Sequence, residues 1–130
     1  MYGFTTTLTG VSFDQATVRT MAALKAEGFG VLSDIDLQQA MKEKLGKDIP
    51  PYRILGACNP PLAHRALGID REIGLLLPCN VVVRADGPGH TLVQALDPQV
   101  MVQVTGRPEL KDVADEAAVR LRTALSTLTG

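Results

Sequence analysis

The stretch that decides the fold runs from Tyr52 to Arg84: YRILGACNPPLAHRALGIDREIGLLLPCNVVVR. It opens with Tyr52 to Ala57, a short apolar run of strand composition, and closes with Cys79 to Arg84, which holds three consecutive valines. Between them, Asn59-Pro60-Pro61 marks a helix start. Asparagine accepts a hydrogen bond from an orphan amide, and a proline at the first position gives up no needed N–H. The spacing predicts a helix over about Pro61 to Leu67 with Gly68 as its stop, then a single turn over Arg71 to Gly74 capped by Asp70. Leu75, Leu76 and Leu77 are expected to be buried. The stretch therefore reads as strand, sharp turn, helix, apolar turn, strand. Both cysteines of the chain lie in it, and each is followed by asparagine: Cys58-Asn59 and Cys79-Asn80.

Working towards the N-terminus, Lys47 to Pro51 is a loop. Before it, Asp36 caps a helix whose inner face is Leu37, Ala40, Met41 and Leu45, with Gly46 as the stop. Phe29 to Ile35 reads as a short apolar strand. The preceding segment carries Ser12-x-x-Gln15, a capping-box spacing, and then Phe13, Thr17, Met21 and Leu24 on one helical face. Gly28 suits the left-handed position just past its end. Residues 3 to 10 alternate weakly and are rich in threonine, a strand former. The helix between the first two strands is long enough for a parallel crossover, with an antiparallel arrangement left open.

Beyond Arg84, Asp86-Gly87-Pro88-Gly89 is turn chemistry, and Thr91 to Leu96 returns as the second arm of a hairpin. Residues 98 to 104 fit a short helix or an edge strand. A final helix begins at Pro108, with Leu110, Val113, Ala114, Ala117, Leu121, Ala124, Leu125 and Leu128 forming one apolar stripe. The expected architecture is α+β: a two-layer sandwich with about five strands, mostly antiparallel or mixed, and the main helices on one face. A three-valine strand is expected where both faces are covered, or where one face meets a partner. Too many strand residues are apolar for the second face to stand free, so the chain is expected to form a homodimer.

Composition narrows the function. The 130 residues fit a single domain, 1–130, long enough to bury a core without disulfides or metals. Aromatic residues are only 4% and tryptophan is absent, which removes the stacking platform that single-stranded nucleic acid needs. The net charge of −1, with basic and acidic residues interspersed, offers no phosphate-tracking stripe, so no nucleic-acid partner is expected. No apolar run approaches the ~18 residues of a membrane span, and the N-terminus lacks signal-peptide character. A cytoplasmic location with two reduced thiols follows as the expectation. No cofactor motif is legible: Gly87-Pro88-Gly89 leads into no helix, and no Gly-Lys-Ser/Thr occurs.

The candidate site residues come from the deciding stretch. Cys58 stands where a strand gives way to a capped helix, and helix amides favour a thiolate. Arg53 and Arg65 are near enough in sequence to add positive charge. A reactive thiol is one reading, and a small buried hydrophobe at a crowded turn is the other. Cys79 joins Cys58 if their strands are neighbours, and His64 would then complete three soft ligands, although no Cys-x-x-Cys pair supports a metal site. Asn59 and Asn80 either tie down the backbone of the two turns or present donors to a small polar ligand. His90 sits at a hairpin turn, and Glu72 is placed to pair with Arg53 or Arg65.

The central residues YRILGACNPPLAHRAL, followed by IGLLLPCNVVV, resemble the family labelled domain of unknown function 302. The similarity is specific over about residues 50 to 84 and looser elsewhere, taking in DLQQAMKEKLG before it and Asp97-Pro98 after it. The resemblance implies a small α+β fold, commonly dimeric, found in bacteria and archaea. It implies no activity and supplies no catalytic or binding residues. The functional expectation is a dimeric module for binding a small ligand (an anion, a metabolite or a soft metal) or for assembly. Its site would involve Arg53, Asn59, Cys79 and Asn80 near the two Cys-Asn turns. The alternative is a thiol-dependent enzyme or sulfur-handling protein that uses Cys58.

Overall fold

A computed structural model describes residues 2–128 of the protein. Three helix starts are set by the caps that the sequence marks. Ser12 Oγ accepts from the Gln15 amide at 3.1 Å and opens α1 (Phe13–Ala26). Asp36 Oδ1 accepts from the Gln39 amide at 3.0 Å and opens α2 (Leu37–Leu45). Asn59 Oδ1 accepts from the Leu62 amide at 3.3 Å and opens α3 (Pro60–Ile69). Each bond satisfies a donor that the helix itself leaves without a partner. Gly28 and Gly46 take positive φ, 85° and 64°, just past α1 and at the end of α2.

The strands are β1 (Gly3–Thr9), β2 (Gly30–Asp36), β3 (Tyr52–Cys58), β4 (Cys79–Ala85) and β5 (His90–Leu96). They form an antiparallel sheet in the order β1-β5-β4-β3-β2. The architecture is the expected α+β. The last four strands make a meander, and β1 joins its edge beside β5, with Gly3 opposite Leu96 and Thr9 opposite His90. The first two strands therefore do not pair and lie at opposite edges. At its usual rise a helix of this length spans about 21 Å. That matches the ~19 Å of four strand spacings, so α1 carries the chain from one edge of the sheet to the other.

Alternation along the strands separates two faces. Leu8, Leu55, Ala57, Val81, Val83, Val93 and Ala95 point to one face and are fully buried. There they pack with α1 and with the C-terminal half of α5 (Lys111–Ser126), in a cluster that includes Leu24, Leu121, Ala124 and Leu125. The predicted stripe of the last helix is buried along its whole length. The Arg122 guanidinium lies 4.5 Å from the Phe4 ring centroid, tying this helix to β1. On the opposite face Ile54, Val82 and Leu92 are half-buried and Ile35 is 49% exposed. Gln94 on that face donates to Thr5 Oγ1 at 3.3 Å and accepts from Arg84 Nε at 3.0 Å.

A second cluster lies beside the sheet. It joins Leu62 and Ala66 of α3, Ile73 of the 3-10 turn Arg71–Leu76, Met101 of α4 (Gln99–Thr105), and Leu110, Val113, Ala114 and Ala117 around the start of α5. The ambiguous segment 98–104 is thus a helix, closed by Gly106 at φ 66°.

Three expectations fail locally. The helix after Asn59 does not stop at Gly68: it runs to Ile69, and the Asp70 amide still bonds the Ala66 carbonyl at 2.9 Å. Gly68 has no positive φ and so gives no termination signal. Leu75 is not buried but 88% exposed, while Leu76 and Leu77 are half-buried. Residues three apart eclipse in a 3-10 turn, so Ile73 and Leu76 share a side and Leu75 projects away. Finally, α2 has no fully buried residue: Leu37, Ala40 and Met41 are half-buried, and Leu45 is 65% exposed.

Candidate functional site

The site starts from a missing side chain. A Cβ on Gly56 would overlap Ser33 Oγ and lie 2.8 Å from Pro78 Cγ. Only glycine lets the Leu77-Pro78 turn settle onto β3. That contact fixes the register in which Ala57 faces Cys79 and Gly56 faces Asn80. On the other side of β3, Cys58 faces Gly30 of β2. Cys58 thus lies one residue beyond the partner of Cys79, and the two Cys-Asn corners are neighbours.

Between these corners and α3 lies a cleft of about 270 Å³. Cys58, Asn59 and Cys79 line it, with Ala57 from β3, Leu77 and Pro78 from the turn, and Ala63, Ala66 and Leu67 from α3. Phe29 and Leu32 close the β2 side, and Met101, Val113 and Ala117 close the α4–α5 side. The walls come from both core clusters, so the cleft is the seam where the sheet core meets the α3 layer.

The electrostatics are those of a neutral hollow. Among the described residues, no charged side chain lines it. Burial raises the Cys79 thiol from its ordinary 9.0 to about 11, with a further contribution from Cys58, so Cys79 carries its proton at neutral pH. The carboxamide of Asn59 is engaged at both ends: its oxygen caps α3, and its nitrogen donates to the Glu27 carbonyl at 3.5 Å. Arg120 Nη1 donates to that same carbonyl at 3.4 Å. Asn59 therefore fastens the end of α1 to the start of α3.

Other residues singled out in the sequence lie elsewhere. Asn80 is exposed and does not line the cleft. Arg53 is near the start of β3, about 16 Å of strand from Cys58 at the usual rise. It grips Asp34 through both Nε and Nη2, and this carboxylate holds the guanidinium pKa up. Arg65 pairs with Glu116 at 3.5 Å across α3 and α5. His64 is exposed on α3, so it does not join the two thiols. Among the described residues, no group of three His, Cys, Asp or Glu side chains is placed to hold a metal ion. Sequence reasoning missed Gly56, Phe29, Leu32, Met101, Val113 and Ala117. A glycine inside a strand was the one available signal, because it marks a close approach. Among the described residues, no helix is long and apolar enough to cross a membrane.

Comparisons with known proteins agree with the fold. No curated protein matches the chain. A crystal structure of an uncharacterised conserved DUF302 protein from Bacillus stearothermophilus is similar over 97% of both chains, with 32% identity and a TM-score of 0.87. The family described as Domain of unknown function DUF302 matches residues 4–128, well beyond the central stretch that first resembled it. Nearly the whole length of this chain, and not its Cys-Asn corners alone, therefore belongs to the DUF302 family.

Proposed function

We propose that the protein is a non-enzymatic binding module, a single cytoplasmic domain that holds a small ligand in the cleft beside Cys58, Asn59 and Cys79. One observation carries this reading: two corners 21 residues apart in sequence form the walls of one 270 Å³ hollow. Small-ligand sites are concave and mostly apolar, and this hollow is close to the lower end of their ~300–1,000 Å³ range. Arg53 and Asn80 fall outside the ligand's reach in this reading. The test is a fragment screen that follows backbone amide shifts, with Ala63→Phe as the filled-cleft control. Hits that move Ala63, Leu67 and Met101 in wild type and not in the variant support the module. A screen in which nothing moves those amides removes it.

The second reading is thiol chemistry at Cys58, supported by its placement as a free thiol on the cleft wall. It is tested by alkylation of Cys58 across pH in a Cys79→Ser background. A thiol that stays inert until the chain is denatured ends it. Dimerisation is a separate proposal. The row Ile35, Ile54 and Val82, with Leu92 diagonal to Val82, on the second sheet face supports a homodimer in which two such faces meet. Sedimentation should give a dimer for wild type and a monomer for Val82→Lys, and a monomeric wild type would refute it.

A further inference from the structure

We propose that the cleft selects an uncharged, apolar ligand group of about six to ten non-hydrogen atoms, a short aliphatic chain or a single ring, and discriminates against anions and metal ions. The inference rests on the binding-module reading above and names its ligand class.

Size sets the first limit. Engineered apolar cavities of ~150 Å³ hold benzene. The 270 Å³ here therefore admits a ring with a substituent, or a chain of comparable bulk. Chemistry sets the second. A carboxylate or phosphate brought into the cleft would lose its water and need donors in return. Among the described residues, Asn59 is the one lining side chain with nitrogen or oxygen, and it is engaged by the Leu62 amide and the Glu27 carbonyl. Arg120, which shares the Glu27 carbonyl with Asn59, is paired with Glu116 at 3.3 Å, and Arg53 and Arg65 are held by Asp34 and Glu116. A soft cation fares no better: His64 lies outside the lining, and among the described residues no group of three His, Cys, Asp or Glu side chains is placed to hold one.

The mouth points the same way. The β2–β3 register slips between Val31 and Ser33, and the displaced Leu32 is 72% exposed at one side of the opening. Leu67 of α3 is 41% exposed among the same lining residues. Two leucines held in water at the rim continue the apolar wall outward. A larger molecule would leave its polar end beyond them and insert only its apolar arm.

The experiment compares matched probes on the intact chain: n-hexanol, toluene, hexanoate and hexylammonium, followed by saturable amide shifts of Ala63, Leu67 and Met101. Hexanol and toluene should bind, with hexanoate and hexylammonium at least about tenfold weaker, since burying a charge without partners is costly. Ala63→Phe should abolish binding. Leu67→Lys, an exposed change that keeps the fold, should narrow the gap between hexanol and hexanoate. Equal affinity for charged and neutral probes overturns the ligand class and leaves the binding module standing. The same division holds if the fragment screen returns only polar hits. Cleft shifts that follow protein concentration without any probe make a second copy the occupant and overturn the proposal. Silence in both experiments defeats the binding-module reading itself.

Discussion

The sheet core and the α3 layer are made from the same aliphatic residues and are finished differently. Beneath α1 and α5, Leu55, Val81, Val83, Val93 and Leu121 are completely covered. Around α3 the apolar side chains meet incompletely, leaving the cleft, and Leu32, Leu67 and Leu75 reach solvent. Burial at both places comes from the same hydrophobic effect. The difference teaches that the same aliphatic composition closes one region completely and leaves apolar surface uncovered in the other.

The largest expected effect tests the first half of that contrast. Leu121→Ala should lower unfolding free energy by about 3 kcal/mol, the cost of a cavity in a closed core. Chemical denaturation measures it. A loss under 1 kcal/mol would mean that the sheet core is as loosely packed as the α3 layer.

The next effect probes the seam through pH. The folded chain holds the Cys79 proton up to about 11, whereas the unfolded chain releases it near 9.0. Between these values only the folded state binds the proton, so stability is fully present below the lower one and falls as pH rises towards the upper. The drop should be about 2 kcal/mol. Cys79→Ala should lose that part of the pH dependence in urea titrations at the two ends of the window. Parallel profiles for wild type and variant would place Cys79 in contact with water.

A smaller effect tests how the two regions are fastened together. Asn59→Ala should cost about 1 kcal/mol, as loss of a helix cap does. Hydrogen exchange should speed up at the start of α3 more than in β4. Uniform acceleration would show that α3 and the sheet open together. Smallest of all, Leu75→Ser should change stability by less than about 0.5 kcal/mol, as exposed positions do. A larger loss would indicate that Leu75 is covered in solution.

The fold was legible where chemistry is local. Ser12, Asp36 and Asn59 each make the cap bond their sequence context implies. The eight-residue stripe from Leu110 to Leu128 was readable because one period governs it and all of it is buried. Strand order was not legible: nothing in residues 3 to 35 tells β1 to pair with β5 across an intervening meander. Gly68 misled because a glycine stops a helix only when its backbone adopts positive φ, which composition does not reveal. The site was half legible. Two repeated Cys-Asn pairs named its corners, and the β3–β4 register brings them together. Its remaining walls come from β2, α4 and α5, where Phe29, Met101 and Val113 each look like ordinary core. Sequence pattern shows that a residue is apolar, and only packing shows which of its contacts is left unmade.

The position of β1 has a consequence for how the chain is made. Strands β2 to β5 pair with neighbours that leave the ribosome one after another. Gly3–Thr9, synthesised first, has no partner until His90–Leu96 has been delivered. A threonine-rich edge must therefore wait until the rest of the sheet has been made, which makes its pairing the late, non-local step that seals the sheet.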